Sequence, residues 1–136
     1  MKLVADANVL LSAVIGGRAA LVLTHPAVEE IFTTSDTFSE VQEYSAVLGQ
    51  PKGFSLDALL LAVAALPVST IEREIYKHSI PRARRLVGKR DPDDVEILAL
   101  ALQLRVPLWS NDNDFEQCGI QQYTNCSVAE AFRYFH

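Results

Sequence analysis

The chain has 136 residues, 49% of them hydrophobic, and sets 12 basic against 17 acidic side chains for a net charge of -5. That length and composition suit one domain over residues 1–136 with a core of its own, and exclude a disordered chain. The acidic balance is not the footprint of a non-specific nucleic-acid binder, and no run of about 20 apolar residues is present to span a membrane. Cys118 and Cys126 have no metal-ligand spacing and make no disulfide framework, which fits a reducing cytoplasm. Asp6 and Asn8 interrupt the first apolar run too early for a signal peptide.

In chain order, residues 2–6 predict a first strand, residues 8–14 a short helix, Gly16-Gly17 a break and residues 18–24 a second helix. His25-Pro26 reads as a turn and residues 28–33 as a second strand, weakened by Glu29 and Glu30. Residues 35–48 carry Phe38, Val41, Tyr44, Val47 and Leu48 at helical spacing. A loop over 49–53 leads to a strongly apolar helix over 55–66 and a weak third strand over 68–71. Residues 72–87 are helical, with a break expected near Pro81. Asp91-Pro92-Asp93-Asp94 has the form of a helix start: an N-cap candidate, proline at the first position, acids in the first turn. The helix to Leu104 is apolar on nearly every side and should be buried. A fourth strand follows over 107–110, a helical turn over 115–118 and a possible last strand over 121–124. Ser127 and Glu130 form a capping box for a final helix over 128–135. Helices alternating with short strands predict an α/β protein of three layers, α/β/α, around a mostly parallel sheet of four or five short strands.

In such a sheet, strand C-termini and helix N-termini share one edge, and ligands bind there. Asp6 and Asp112 fall at strand ends and Asp94 at a helix start, so all three meet at one rim whatever the strand order. Glu40, from the front of the helix over 35–48, is a fourth candidate, with Glu43 as its competitor. Carboxylates gathered this way repel without a cation. Hard divalent ions such as Mg2+ or Mn2+, one or two of them, take such oxygen ligands. Asp114 is placed to share or replace the role of Asp112, and Asp91 or Asp93 is the third acid instead of Asp94 if the helix is shifted. Each acid also has a plainer explanation: Asp6 as a helix cap, Glu40 in a capping box with Thr37, Asp94 as an acid favoured by the helix dipole, and Asp112 and Asp114 as a polar turn. Paired His and Cys spacing for zinc is absent from the sequence, and no Ser/His or Cys/His nucleophile pair is evident. From Lys77 to Arg90 the chain holds Lys77, Arg82, Arg84, Arg85, Lys89 and Arg90 and no acid. This segment is either a solvated helix face or a phosphate-binding strip leading into the acidic block.

Asp-Ala-Asn-Val-Leu at residues 6–10, Asp-Pro-Asp-Asp at 91–94 before Ile-Leu-Ala-Leu-Ala, and Leu-Trp-Ser-Asn-Asp-Asn-Asp-Phe at 108–115 together resemble the PIN-domain family, which includes the VapC-type toxins of toxin–antitoxin pairs. Each motif alone is weak; in this order they are fairly specific. The resemblance implies a doubly sandwiched parallel sheet and a metal-dependent endoribonuclease that leaves a 3′-hydroxyl and a 5′-phosphate. It assigns the four acids to Asp6, Glu40, Asp94 and Asp112, with Asp114 beside them, and polar support to Asn8 and Ser110. RNA would be the substrate, Arg82, Arg84, Arg85, Lys89 and Arg90 its contacts, and an antitoxin and a second copy of the chain the protein partners. Two other functions compete: an acid-rich, magnesium-dependent phosphatase, which Asn8 disfavours because it breaks an Asp-x-Asp pattern, and a non-catalytic RNA- or protein-binding module.

Overall fold

The computed structural model describes residues 1–87, 92–111 and 122–124. Asp91, Lys89, Arg90, Asp112, Asp114, the turn over 115–118 and the helix over 128–135 with its capping box lie outside the described residues.

Five strands, β1 (Lys2–Ala5), β2 (Glu30–Thr34), β3 (Ser69–Ile71), β4 (Leu108–Trp109) and β5 (Gln122–Tyr123), form one sheet in the order β3-β2-β1-β4-β5. All four pairings are parallel, with Leu3 beside Ile31, Phe32 beside Ser69, Val4 beside Leu108 and Leu108 beside Gln122. The chain therefore steps outward from β1 to β3, then crosses back to place β4 on the other side of β1. The strand order reverses between β1 and β4, which in an open parallel sheet is where a crevice opens.

The helices α1 (Ala7–Val14), α2 (Ala19–Leu23), α3 (Ser35–Gly49) and α4 (Leu56–Ala64) cover one face, and α5 (Arg73–Tyr76), α6 (Ile80–Val87) and α7 (Pro92–Leu104) the other. Strand alternation divides the core accordingly. Leu3, Ala5, Ile31 and Trp109 pack with Val9, Leu10, Val41, Leu59 and Val63. Val4 and Leu108 pack with Tyr76, Ile80, Ala83, Leu98 and Leu100. This is the three-layer parallel architecture expected from the sequence.

Local chemistry sets the boundaries. Thr34, not Thr37, caps α3: its Oγ1 accepts from the Thr37 amide at 2.9 Å. Ser55 caps α4 in the same way, accepting from the Ala58 amide at 3.2 Å. The break expected near Pro81 is a single 3-10 turn over Lys77–Ser79, and the helix restarts at Ile80; Pro81 sits near the start of α6, where its missing N–H costs nothing. The second strand begins at Glu30 rather than residue 28, with Glu30 accepting from the Ser69 hydroxyl on β3 at 3.1 Å. α7 ends on Arg105 in the left-handed region (φ 56), and the Val106 amide closes the turn onto the Ala101 carbonyl at 3.2 Å. Among the described residues no helix is long and apolar enough to cross a membrane.

Candidate active site

Among the described residues, the buried polar side chains other than Ser45 gather at one edge. Asp6 follows β1, Thr33 and Thr34 end β2, Thr37 lies in the first turn of α3, and Ser110 follows β4; all are buried, Asp6 at 8% exposure and Ser110 at 0%. Burying polar groups costs free energy unless each finds a partner, and these do. Thr33 donates to the Ala5 carbonyl at 3.0 Å, and Thr34 to the Thr37 hydroxyl at 2.7 Å.

Asp6 sits where the strand order reverses. Its Oδ1 accepts from the Val9 amide at 3.0 Å, which caps α1, and its Oδ2 accepts from the Ser110 hydroxyl. Its backbone amide donates to the Trp109 carbonyl at 3.3 Å, and the Ser110 amide to Tyr123 at 2.9 Å. β1, β4 and β5 thus share one hydrogen-bonded junction under the carboxylate. The capping role and the site role of Asp6 are compatible, because each carboxylate oxygen has two lone pairs and the bonds named here use one apiece. Ser110 supports Asp6 directly, as the sequence suggests. Asn8 lies exposed in the first turn of α1.

Asp94 is reached from the opposite layer. The chain leaves β3 at the rim and must re-enter β4 from the far edge, so α7 starts at the rim and runs away from it. Its apolar stretch, Val95 and Ile97 to Ala101, is buried against the sheet. Asp94 is half-buried in the first turn, with Oδ2 inside the protein surface.

Glu40 lines a cleft of about 390 Å³ with Asp36, Thr37, Ser39, Glu43 and Tyr44 of α3 and Glu96 of α7. Glu40 is half-buried and Glu43 exposed, so both candidates for the second acid face this space. Asp6 and Asp94 are not among its lining residues. Among the described residues no group of three or more His, Cys, Asp or Glu stands at metal-holding distances. The oxygen-only character of Asp6, Glu40 and Asp94 is nevertheless the donor chemistry that suits a hard divalent ion.

Glu96 is the residue that sequence reasoning missed. Its Oε1 lies 3.4 Å from Arg73 Nη2, while Oε2 is buried with no hydrogen-bond partner among the described residues. Tyr76, at 1% exposure, lies beside it; burial first, and then the Glu96 carboxylate as hydrogen-bond acceptor, push its phenol well above the usual tyrosine range. A glutamate on a helix otherwise buried nearly all round was the available signal, since it must face an opening or a cation. Of the basic segment, Arg82, Arg84 and Arg85 are exposed on α6, opposite the buried Ile80, Ala83 and Val87.

An open, all-parallel α/β sheet with a buried aspartate at its reversal point, flanked by carboxylate-bearing helices, defines a class of ligand-binding α/β proteins. Within that class the sequence matches the PIN domain over residues 4–133, and the chain belongs to the PIN-domain family. Members of that family are generally metal-dependent nucleases. No curated protein matches the chain.

Proposed function

We propose that this protein is a Mg2+- or Mn2+-dependent endoribonuclease, the toxin of a VapBC-type pair, and that Asp6, Asp94 and Asp112, with Asp114 beside them, hold its one or two ions while Glu40 completes the acidic site. The observation that carries the reading is the fixed, nearly buried Asp6 carboxylate at the sheet's reversal point, held by Ser110 and the Val9 amide. Two donors hold it in one rotamer, which preorganises it as a ligand. A bound divalent ion supplies an activated water and offsets charge on the scissile phosphate. The residues do the rest. Glu40, half-buried in the cleft, orients or deprotonates water. Arg82, Arg84 and Arg85 take backbone phosphates of the strand, and Lys89 and Arg90, next in the sequence, are proposed to join them. A rim of carboxylates on a chain of net charge -5 repels RNA; a local basic strip offsets that repulsion.

Protein partners fit the same reading. α3 and α4 expose Tyr44, Val47, Leu48, Leu56, Leu60 and Leu61, an apolar surface of the kind that a second copy or an antitoxin covers. Such a toxin acts in the cytoplasm. The test is cleavage of defined RNAs with and without Mn2+, using wild type and Asp6→Asn. Manganese-dependent cleavage that the substitution abolishes without unfolding the protein is expected. Equal cleavage by the purified mutant removes Asp6 from the chemistry, and RNA binding without any cleavage favours a binding module.

A further inference from the structure

The first turn of α5 touches both helices that carry site acids. Glu72, its N-terminal flank, accepts from the Ser35 hydroxyl at the start of α3 at 2.9 Å. The next residue, Arg73, pairs with Glu96 on α7 at 3.4 Å. Two consecutive side chains therefore reach in opposite directions, one to the Glu40 helix and one to the Asp94 helix. Between those helices lies the cleft that Glu96 shares with Asp36, Glu40 and Glu43.

We propose that Arg73 is a positioning residue for the candidate site: paired with Glu96 and backed by the Glu72–Ser35 bond, it fixes the spacing of the helices bearing Glu40 and Asp94. The reason is charge. Among the described residues the cleft is lined by four carboxylates and no cation. Glu96 is 20% exposed at its side chain, with one oxygen fully inside. Arg73, 60% exposed, is the cation set against it. Without the guanidinium, Glu96 faces Glu40 and Asp36 across the cleft as an uncompensated, part-buried charge. The helices relieve that by moving apart, and α7 carries Asp94 with it, two residues from Glu96.

This inference rests on the metal-dependent reading above, and the experiment separates the two. Calorimetric Mn2+ titration of the full chain, well below its melting temperature, compares wild type, Arg73→Ala, Arg73→Lys and Arg73→Ala with Glu96→Gln, alongside KM and kcat on one RNA. Residues that orient metal ligands typically cost about 10–100-fold in affinity when lost. Arg73→Ala should weaken Mn2+ binding by about tenfold and lower kcat with little change in KM. Arg73→Lys should retain most of the affinity, and adding Glu96→Gln to Arg73→Ala should restore it, because no unpaired charge is left. Wild-type Mn2+ affinity in Arg73→Ala overturns the proposal. So does a raised KM with unchanged Mn2+ affinity, which makes Arg73 an RNA contact. Failure of Glu96→Gln to rescue overturns charge compensation. A wild type that binds no Mn2+ removes the nuclease reading and this inference with it.

Discussion

Ser110→Ala is the smallest change that probes the junction under the candidate site. The serine is fully buried and its hydroxyl donates to Asp6 Oδ2, so the substitution removes one donor from a carboxylate that is itself 8% exposed. The lost methylene volume is nil, which leaves the hydrogen bond as the main term. Hydrogen bonds to charged groups contribute about 1.5–3 kcal/mol. Unfolding entropy near the midpoint is about 2.1 cal/mol/K per residue, or about 0.29 kcal/mol/K for 136 residues. Ser110→Ala should therefore lower Tm by about 5–10 °C in chelator at pH 7. Ser45→Ala is the control: Ser45 is as buried, but its hydroxyl donates to the Gln42 carbonyl at 3.1 Å in its own helix, a neutral bond. Its loss should cost about 0.5–1.5 kcal/mol. In an Asp6→Asn background, the effect of Ser110→Ala should shrink toward that control value, since the charge is gone. Thermal melts followed by circular dichroism provide the readout. Equal shifts for Ser110→Ala and Ser45→Ala, with no coupling to Asp6→Asn, would refute the charged hydrogen bond at the junction.

Three further outcomes are expected. A Cβ at Gly49 would lie 2.5 Å from a Leu59 methyl where α3 meets α4, so Gly49→Ala should overpack the contact and cost about 1–3 kcal/mol by urea titration. The Tyr76 phenol is raised by burial and by Glu96; a raised folded value means that its stabilisation is complete below the unfolded value of about 10 and is lost as pH rises through the folded value. Wild type should therefore lose stability above about pH 10 more steeply than Tyr76→Phe, and parallel alkaline melting curves would contradict this. Replacing Arg84 and Arg85, both exposed on α6, by Ala should weaken RNA binding and flatten its salt dependence; an unchanged slope makes the strip a solvated face.

Much of this fold could be read from the sequence because its core residues obey their periods. Leu3 and Val4, or Leu108 and Trp109, alternate between two different cores, which a buried strand in a sandwiched sheet requires. The apolar run from Val95 to Ala101 is buried as its composition demands. The placement of Asp6 after a strand and of Asp94 at a helix start was legible too, whereas Ser110 came only from the family resemblance. The cap of α3 was not legible, because Thr34 and Thr37 are both good acceptors and only the backbone decides which adopts the extended conformation at the cap. The restart of the helix around Pro81 was legible, and the structure places proline just inside the new helix after a 3-10 turn over Lys77–Ser79. The helix over Leu56–Ala64 is strongly apolar in sequence, yet Leu60 and Leu61 are exposed and only Leu59 and Val63 are buried. Glu96 stayed hidden for a different reason: its meaning lies in Arg73 and Tyr76, on a helix well before it in the chain.

The claim that these carboxylates form an ion site is tested most directly by melting Asp94→Asn beside wild type, in chelator and in excess Mn2+ at pH 7 to 8. The substitution removes one charge from the rim and nearly keeps the shape. In chelator it should melt higher than wild type, because carboxylates that repel strain the native state alone. An ion bound only to the native state at 100 times its dissociation constant stabilises by about 2.7 kcal/mol, or about 9 °C at the unfolding entropy above. Wild type should show a rise of that order and Asp94→Asn much less. A mutant that melts below wild type in chelator, and responds equally to Mn2+, would show that Asp94 only starts its helix and holds no ion.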